Sequence, residues 1–356
     1  IMAYTTIKKP SDYFNTKLYT GNGSTNAITG VGFQPDFIWN KQRNGTYDHY
    51  LFNSLSGTGK YMKSNTTGSE GTNSDTVTSF DSDGFTLGNA AGNNGSGNTM
   101  ASWNWKAGTS ISGATVGLGT LKTYTGSVNT TAGFSVIKYT GNGTAGHQFP
   151  HGLGVAPKMV IVKRTNSSAQ WIVYHTSTGS TGATYLNDTG GFNTVQGFWN
   201  NSAPNSTSMP LGTDAAGNGN GDTYIAYCFA EKTGYSKFGK LISNGSDDGA
   251  FTYTGFAPKF VMLKPNVTDA WSHWYMFDTA RKENLNDMPL YANLSTQEGY
   301  YGGSPATNYA QIDILSNGFK IRTGSGWGGG SSGRELIYMA FGQSIVGSNG
   351  VTAKAR

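Results

Sequence analysis

A single cysteine, Cys228, stands among 356 residues, so no intrachain disulfide can form. Its surroundings, Ile225-Ala226-Tyr227-Cys228-Phe229, are apolar or aromatic, which reads as a small buried hydrophobe rather than a nucleophilic thiol. Charge is scarce as well: charged residues make up 13%, against roughly 25% in average domains. The net charge is +5 and the cations are scattered, the densest groups being Lys8-Lys9, Lys163-Arg164 and Arg281-Lys282. Without a phosphate-neutralising stripe, no nucleic-acid partner is expected. No apolar run approaches a membrane span or the core of a signal peptide, so neither membrane insertion nor a leader is expected, and Met2 reads as the natural start. Helical periodicity is nearly missing. Only the stretch from Asp278 to Asp287, which lacks glycine and proline, reads as a turn or two of helix.

What the chain has in abundance is glycine, 52 residues, about twice the usual share, with Asn, Ser and Thr supplying polarity in place of charge. These residues recur in order. Tyr19-Thr20-Gly21-Asn22-Gly23 precedes Gly32-Phe33-Gln34-Pro35-Asp36-Phe37-Ile38-Trp39-Asn40-Lys41. Tyr139-Thr140-Gly141-Asn142-Gly143 precedes Gly154-Val155-Ala156-Pro157-Lys158-Met159-Val160-Ile161-Val162-Lys163. A third copy has Ser243-Asn244-Gly245 and then Gly255-Phe256-Ala257-Pro258-Lys259-Phe260-Val261-Met262-Leu263-Lys264. Each is followed by an aromatic run, near Tyr50, Trp171 and Trp274, and by a closing hydrophobic run, at Trp103-Asn104-Trp105, Tyr227-Cys228-Phe229 and Tyr338-Met339-Ala340-Phe341. Units of about 100 residues are small domains rather than solenoid repeats.

The runs are short, rich in β-branched and aromatic residues and bounded by turn formers, which is the signature of strands. Asn-Gly recurs at Asn22, Asn44, Asn94, Asn142, Asn244 and Asn317 and predicts type I′ hairpin turns. The expected fold is all-β: three tandem antiparallel β-sandwich or jelly-roll-like modules with long Gly/Asn/Ser/Thr-rich loops. Its boundaries read as an N-terminal docking arm (1–15), modules at 16–106, 133–236 and 237–344, a linker at 107–132 and a tail at 345–356. Because no comparable linker separates modules two and three, those two are expected to pair more tightly.

Catalytic and metal chemistry find little support. The histidines His49, His147, His151, His175 and His273 have no metal spacing on a helix, since Pro150 and Gly152 make a loop around the closest pair. Asp81-Ser82-Asp83-Gly84 opens like a calcium loop but lacks the closing glutamate. Asp278 and Glu283 are the most suggestive carboxylate pair for glycan cleavage, although an Asp278–Arg281 ion pair accounts for Asp278 equally well. No enzyme, cofactor or metal is expected. An uncharged polar surface with many aromatics suits sugar recognition, and is also ordinary for long β loops. Four aromatics beside Gly or Asn, in segments without strand alternation, are candidate ligand contacts: Trp199, Tyr300, Tyr301 and Trp327. Packing against a neighbouring module or subunit explains them as well. Loop residues at matching positions do not repeat between modules, so any recognition is expected to be module-specific.

Several stretches resemble a repeat domain of virion structural proteins found mainly in tailed phages of marine bacteria. They are Tyr235-Ser236-Lys237-Phe238-Gly239, Gly255-Phe256-Ala257-Pro258-Lys259-Phe260, Trp274 to Arg281, Leu315-Ser316-Asn317-Gly318-Phe319-Lys320 and Ile337-Tyr338-Met339-Ala340-Phe341. The opening, Ala3 to Phe14, resembles the start of such proteins, and the likeness is strongest from Phe134 onward. The resemblance implies a virion component, and the single cysteine with sequons such as Asn22-Gly23-Ser24 and Asn65-Thr66-Thr67 suits synthesis in a host bacterial cytoplasm, without a signal peptide. Its role would be a fibre or appendage subunit contacting the host surface, through bacterial surface glycan; a purely architectural decoration subunit and a glycan-degrading tailspike are the alternatives. Its implied partners are other virion proteins and itself, in a homo-oligomer that buries aromatic patches against symmetry mates, a trimer being favoured.

Overall fold

The computed structural model describes residues 5–194, 197–282, 286–301, 304–305, 310–324, 327 and 330–344. Module one holds a 3-10 turn (Pro10–Asp12) and β1 (Phe14–Thr20), β2 (Asn26–Ile28), β3 (Phe37–Gln42), β4 (Tyr50–Asn53), β5 (Lys60–Tyr61), β6 (Gly71–Thr72), β7 (Val77–Asp81), β8 (Gly84–Leu87), α1 (Ala91–Asn94) and β9 (Thr99–Trp105). Next come β10 (Thr109–Ala114), β11 (Val116–Gly117), β12 (Thr123–Asn129), β13 (Phe134–Thr140), β14 (His147–Pro150), β15 (Met159–Arg164), β16 (Ile172–His175), β17 (Gly179–Tyr185), β18 (Ser208–Leu211), α2 (Ala215–Asn218) and β19 (Thr223–Phe229). Module three holds β20 (Ser236–Ile242), β21 (Phe251–Tyr253), β22 (Phe256–Pro265), β23 (Tyr275–Asp278), β24 (Leu290–Tyr291), β25 (Tyr300–Tyr301), β26 (Ser304–Pro305), β27 (Ile312–Leu315), β28 (Gly318–Ile321) and β29 (Glu335–Ser344). The fold is all-β and antiparallel.

Each module is a sandwich of one large and one small sheet. The large sheets run β1-β9-β3-β4, β10-β12-β13-β19-β15-β16-β17 and β20-β29-β22-β23-β24; the small ones run β2-β8-β7, β11-β14-β18 and β21-β28-β27. Strand alternation divides each large sheet between two cores. Phe37 and Trp39 on β3, Met159 and Ile161 on β15, and Phe260 and Met262 on β22 all enter one central cluster. Their alternates enter private clusters inside each sandwich: Ile38 in module one, Val160 and Val162 in module two, Val261 and Leu263 in module three. Burial on both faces explains why these strands read as unbroken hydrophobic runs.

The central cluster is aromatic and draws on all three modules. Phe37 stacks on Tyr227 at 4.0 Å, Phe14 on Phe341 at 5.2 Å, and Trp105 meets Phe260 and Phe341 edge-on at 6.0 and 5.8 Å. Such ring pairs add about 0.5–1.5 kcal/mol each beyond their buried area.

Contacts between modules repeat in a head-to-tail ring. The Glu70 amide donates to the Thr165 carbonyl at 2.9 Å, the Phe192 amide to Asn266 Oδ1 at 3.0 Å, and the Glu298 amide to the Arg43 carbonyl at 2.8 Å. Trp171 Nε1 donates to the Lys63 carbonyl at 3.0 Å and Trp274 Nε1 to the Tyr185 carbonyl at 2.8 Å, while His49 takes the same position in module one and meets the Tyr291 backbone. The three modules thus form a pseudo-threefold assembly within one chain.

Four expectations are corrected by this arrangement. The segment 107–132 is not a linker: β10 and β12 pair in register with each other and with β13, extending the large sheet of module two. The described part of residues 1–15 is not an arm for a neighbour, because Ile7 and Phe14 are 1% and 5% exposed and belong to the central cluster. Modules two and three are not a separate pair, since one core joins all three. The aromatic faces expected to meet symmetry mates are buried between modules of the same chain, which removes that argument for a homotrimer. Among the described residues the only α-helices are the single turns α1 and α2; Asp278 lies in β23, and part of the expected helix, residues 283–285, lies outside the described residues, as does the expected tail at 345–356.

The Asn-Gly steps are not type I′ turns. Among the described non-glycine residues, only Asn200 and Asn201 have positive φ, whereas type I′ needs it at both central positions. Instead Asn22, Asn142 and Asn244 each accept, through Oδ1, the amide two residues on, from Ser24, Thr144 and Ser246 at 2.9, 2.8 and 3.1 Å. These are Asx-turns, and Gly23, Gly143 and Gly245 take the positive φ that follows, at 69°, 74° and 71°. They carry the chain from the large sheet to the small one.

Candidate functional site

The Thr-Gly-Asn-Gly motif is one half of an internal clasp. Asn94, at the end of α1, accepts the Asn22 amide at 3.0 Å through Oδ1, and its Nδ2 donates to the Ser24 and Gly88 carbonyls. Asn218, at the end of α2, accepts the Asn142 amide at 2.9 Å and donates to the Thr144 and Gly212 carbonyls at 3.0 and 2.6 Å. Tyr19 and Tyr139 close the clasp by donating to the Asn93 and Gly217 carbonyls, both at 2.7 Å. A Cβ on Gly21 or Gly141 would lie 2.2 or 2.5 Å from the Gly95 or Gly219 carbonyl oxygen, so only glycine fits. The sequence signal for the partner is the spacing Gly-x-x-Ala-x-x-Asn-Gly, at Gly88, Ala91, Asn94 and Gly95 and again at Gly212, Ala215, Asn218 and Gly219. The repeated motif is therefore spent on structure.

So is the lysine that ends each repeat. Lys41, Lys163 and Lys264 are at most 1% exposed, and their ammonium groups donate to backbone carbonyls of Gln42 and Gly45, of Arg164 and Thr67, and of Ser272. Burial lowers their pKa to about 7 for Lys41 and Lys264 and about 8 for Lys163. They are sealed from solvent.

The carboxylates and histidines considered for chemistry are also engaged. Asp278 accepts Arg281 Nε at 2.5 Å and Trp103 Nε1 at 3.0 Å, and Arg281 reaches Glu298 at 2.9 Å, so this buried network joins module three to module one. Glu283 lies outside the described residues. Asp83 accepts the amides of Gly30 and Gly32 at 2.9 and 2.7 Å, which makes the Asp81–Gly84 stretch a turn. Burial pushes the His175 and His273 pKa down to about 4 and that of His49 well below its usual value. Among the described residues no group of three or more His, Cys, Asp or Glu gathers as a metal site. Burial raises the Cys228 thiol to about 12, which removes thiolate chemistry at neutral pH.

Of the four candidate aromatics, two are core residues, which corrects the expectation of exposed rings. Trp199 is fully buried against Tyr174 and Phe198, and Trp327 is buried, edge-on to Tyr275 at 4.8 Å with Nε1 on the Thr323 carbonyl. Flanking Gly and Asn give a segment no strand alternation, but they do not keep its side chains out of a sandwich core. Tyr300 is half-buried in β25, and the Tyr301 side chain lies outside the described residues.

The aromatics that face solvent together are Phe251 and Tyr253, 47% and 57% exposed on edge strand β21. Register places Phe251 beside Lys320 and Asp313, and Tyr253 beside Gly318, on the outer face of the small sheet. The Phe251 ring lies across Gly318, where a Cβ would come within 2.9 Å of it. Asp248 pairs with Lys320 at 2.6 Å and with Arg322 at 3.0 Å, so charged hydrogen-bonding groups border the rings. The same sheet positions hold Ala27 and Thr29 in module one and Gln148 and Pro150 in module two. Equivalent scaffold and different surface residues set this face apart. Their spacing at alternate strand positions was visible in Phe251-Thr252-Tyr253, but which face looked outward was not.

A separate hollow of about 210 Å³ opens on the large sheet of module two, lined by Thr123, Tyr124, Thr125, Lys138, Tyr139, Thr140 and Thr223.

Residues 9–344 match the model of a family described as "Domain of unknown function (DUF7483)". No curated protein and no solved structure matches the chain.

Proposed function

The chain belongs to the DUF7483 family, and we propose that it serves as a virion structural protein, a fibre or appendage subunit that contacts the host surface through glycan. The observation that supports glycan contact is the outward-facing pair Phe251 and Tyr253 with Lys320, Arg322 and Asp248 at its border. Two rings at alternate positions of a strand offer a stacking platform, and bordering polar groups supply the hydrogen bonds that orient a sugar. The engagement of the buried carboxylates, histidines and lysines in structural bonds favours binding over catalysis. The resemblance to phage virion repeat domains supports the setting, with the protein carried on the particle after synthesis in the host cytoplasm.

A purely architectural role is favoured by a different surface. Leu118 and Leu121, between β11 and β12, are 64% and 52% exposed with Val116 beside them at 41%, which suits contact with another virion protein. Binding of the full-length protein to host cells and to arrayed glycans separates the two. Loss of binding in Phe251→Ala and Tyr253→Ala, with unchanged thermal stability, supports the appendage role. Absence of binding to every glycan and to whole cells would leave architecture as the function.

A further inference from the structure

The hollow in module two is lined by β12, which the segment before β13 adds to the sheet, together with β13 and β19. Strand pairing sets Thr125 beside Lys138, Lys138 beside Ile225, and Thr140 beside Thr223. Alternation therefore places Thr123, Thr125, Lys138, Thr140 and Thr223 on one face. Tyr139 turns to the opposite face, into the private core, with Tyr124 packed against that core. The hollow thus presents four hydroxyl-bearing side chains and one ammonium, with the Thr223 hydroxyl also bonded to Thr165 Oγ1 at 2.7 Å. Among the described residues, the Lys138 ammonium has no hydrogen-bond acceptor and no counter-ion.

The other two modules show what that position normally does. In module three the equivalent lysine is Lys240, and Glu335, which stands where module two has Thr223, neutralises it at 2.6 Å. In module one the two positions hold Leu18 and Thr99, with no charge at all. Module two alone keeps the cation and omits the carboxylate. The missing anion is then left for a ligand to supply.

We infer that this hollow binds one acidic sugar residue, with Lys138 pairing its carboxylate and Thr123, Thr125, Thr140 and Thr223 meeting its hydroxyls. Its volume of about 210 Å³ is below the range of drug-sized sites, roughly 300–1,000 Å³, and suits a single ring rather than an oligosaccharide. A lone flexible ammonium among hydroxyls suits a carboxylate on a polyhydroxylated ring better than a phosphate, which is gathered by several cations or backbone amides. The inference rests on the glycan-contact reading for its ligand class, but on residues apart from the Phe251–Tyr253 face.

The test measures binding of D-galacturonate, D-galactose and inorganic phosphate to the full-length protein by ligand-observed NMR. Thr223→Glu recreates in module two the pairing already present in module three, so the variant is expected to fold and to neutralise Lys138. Galacturonate is expected to bind the wild type and Lys138→Arg, and to lose at least tenfold in affinity in Thr223→Glu and Lys138→Ala. It is expected to bind Tyr253→Ala unchanged. Equal binding of galactose, equal binding of phosphate, or unchanged galacturonate binding in Thr223→Glu would each overturn the inference, as would no binding of galacturonate to the wild type. In that last case, cell binding that depends on Tyr253 but not on Lys138 would leave the appendage role standing.

Discussion

The three buried lysines make the stability of the fold depend on pH in a way that an ordinary surface lysine does not. Each has a folded pKa below its usual 10.5, near 7 for Lys41 and Lys264 and near 8 for Lys163, chiefly because burial disfavours the ammonium. Between the folded and unfolded values the unfolded chain binds more protons, so stability rises with pH, by about 1.4 kcal/mol per unit for each fully separated lysine. From pH 8 to 9.5, Lys41 and Lys264 contribute about 2 kcal/mol each and Lys163 about 1.5. Cys228 opposes them: its folded pKa near 12 lies above its usual 9.0, which removes about 1 kcal/mol over the same interval. The net expectation is a gain of about 4–5 kcal/mol. The gain reverses above about pH 10, where the raised tyrosines, among them Tyr139, Tyr227 and Tyr235, keep protons that the unfolded chain releases. Urea unfolding followed by tryptophan fluorescence at pH 7, 8, 9 and 9.5 measures the curve. Lys264→Met is expected to flatten it by about 2 kcal/mol, whatever constant offset the lost hydrogen bond to Ser272 adds. A wild-type curve that is level between pH 8 and 9.5, or one that Lys264→Met leaves unchanged, would refute the reasoning that these amines are desolvated.

Two further outcomes test the architecture. Asn218→Ala removes the amide group that joins the Asn142 loop to α2 and strands a buried amide and two carbonyls, so it is expected to lower stability by about 2–4 kcal/mol, read as a fall in the melting temperature that Asn94→Ala reproduces in module one. Asp278→Ala leaves the Arg281 guanidinium buried beside Glu298 alone; a loss of about 3–5 kcal/mol is expected, checked by the same melt.

The strands and the threefold repeat were legible because glycine, proline and β-branched residues act locally. What pairs with what was not. The bonds from Asn22 and Asn142 reach Asn94 and Asn218, and nothing in Thr-Gly-Asn-Gly names its distant partner. The Gly/Thr/Ser-rich run at 107–132 has the composition of a linker, yet Ile111 and Val128 find apolar neighbours in module two and turn it into sheet. The residues flanking Trp199 and Trp327 suggest exposed loops, whereas their burial is set by the sandwich around them. The lysine ending each repeat is visible in its motif, but its role follows only from the carbonyls that the fold brings to it.

The ring of three modules also sets an order on the making of this protein. Phe14, near one end of the chain, stacks on Phe341 near the other, and the last link of the ring joins Arg43 to Glu298. As the chain leaves the ribosome, Phe37 can be covered by Tyr227 of module two, but Trp103 and Trp105 wait for Phe260 and Phe341 of module three before their packing is complete. Bringing Phe14 against Phe341 then closes a loop of more than three hundred residues. A chain cut short before module three would carry an open aromatic face, so premature termination is converted from a shorter product into an adhesive one.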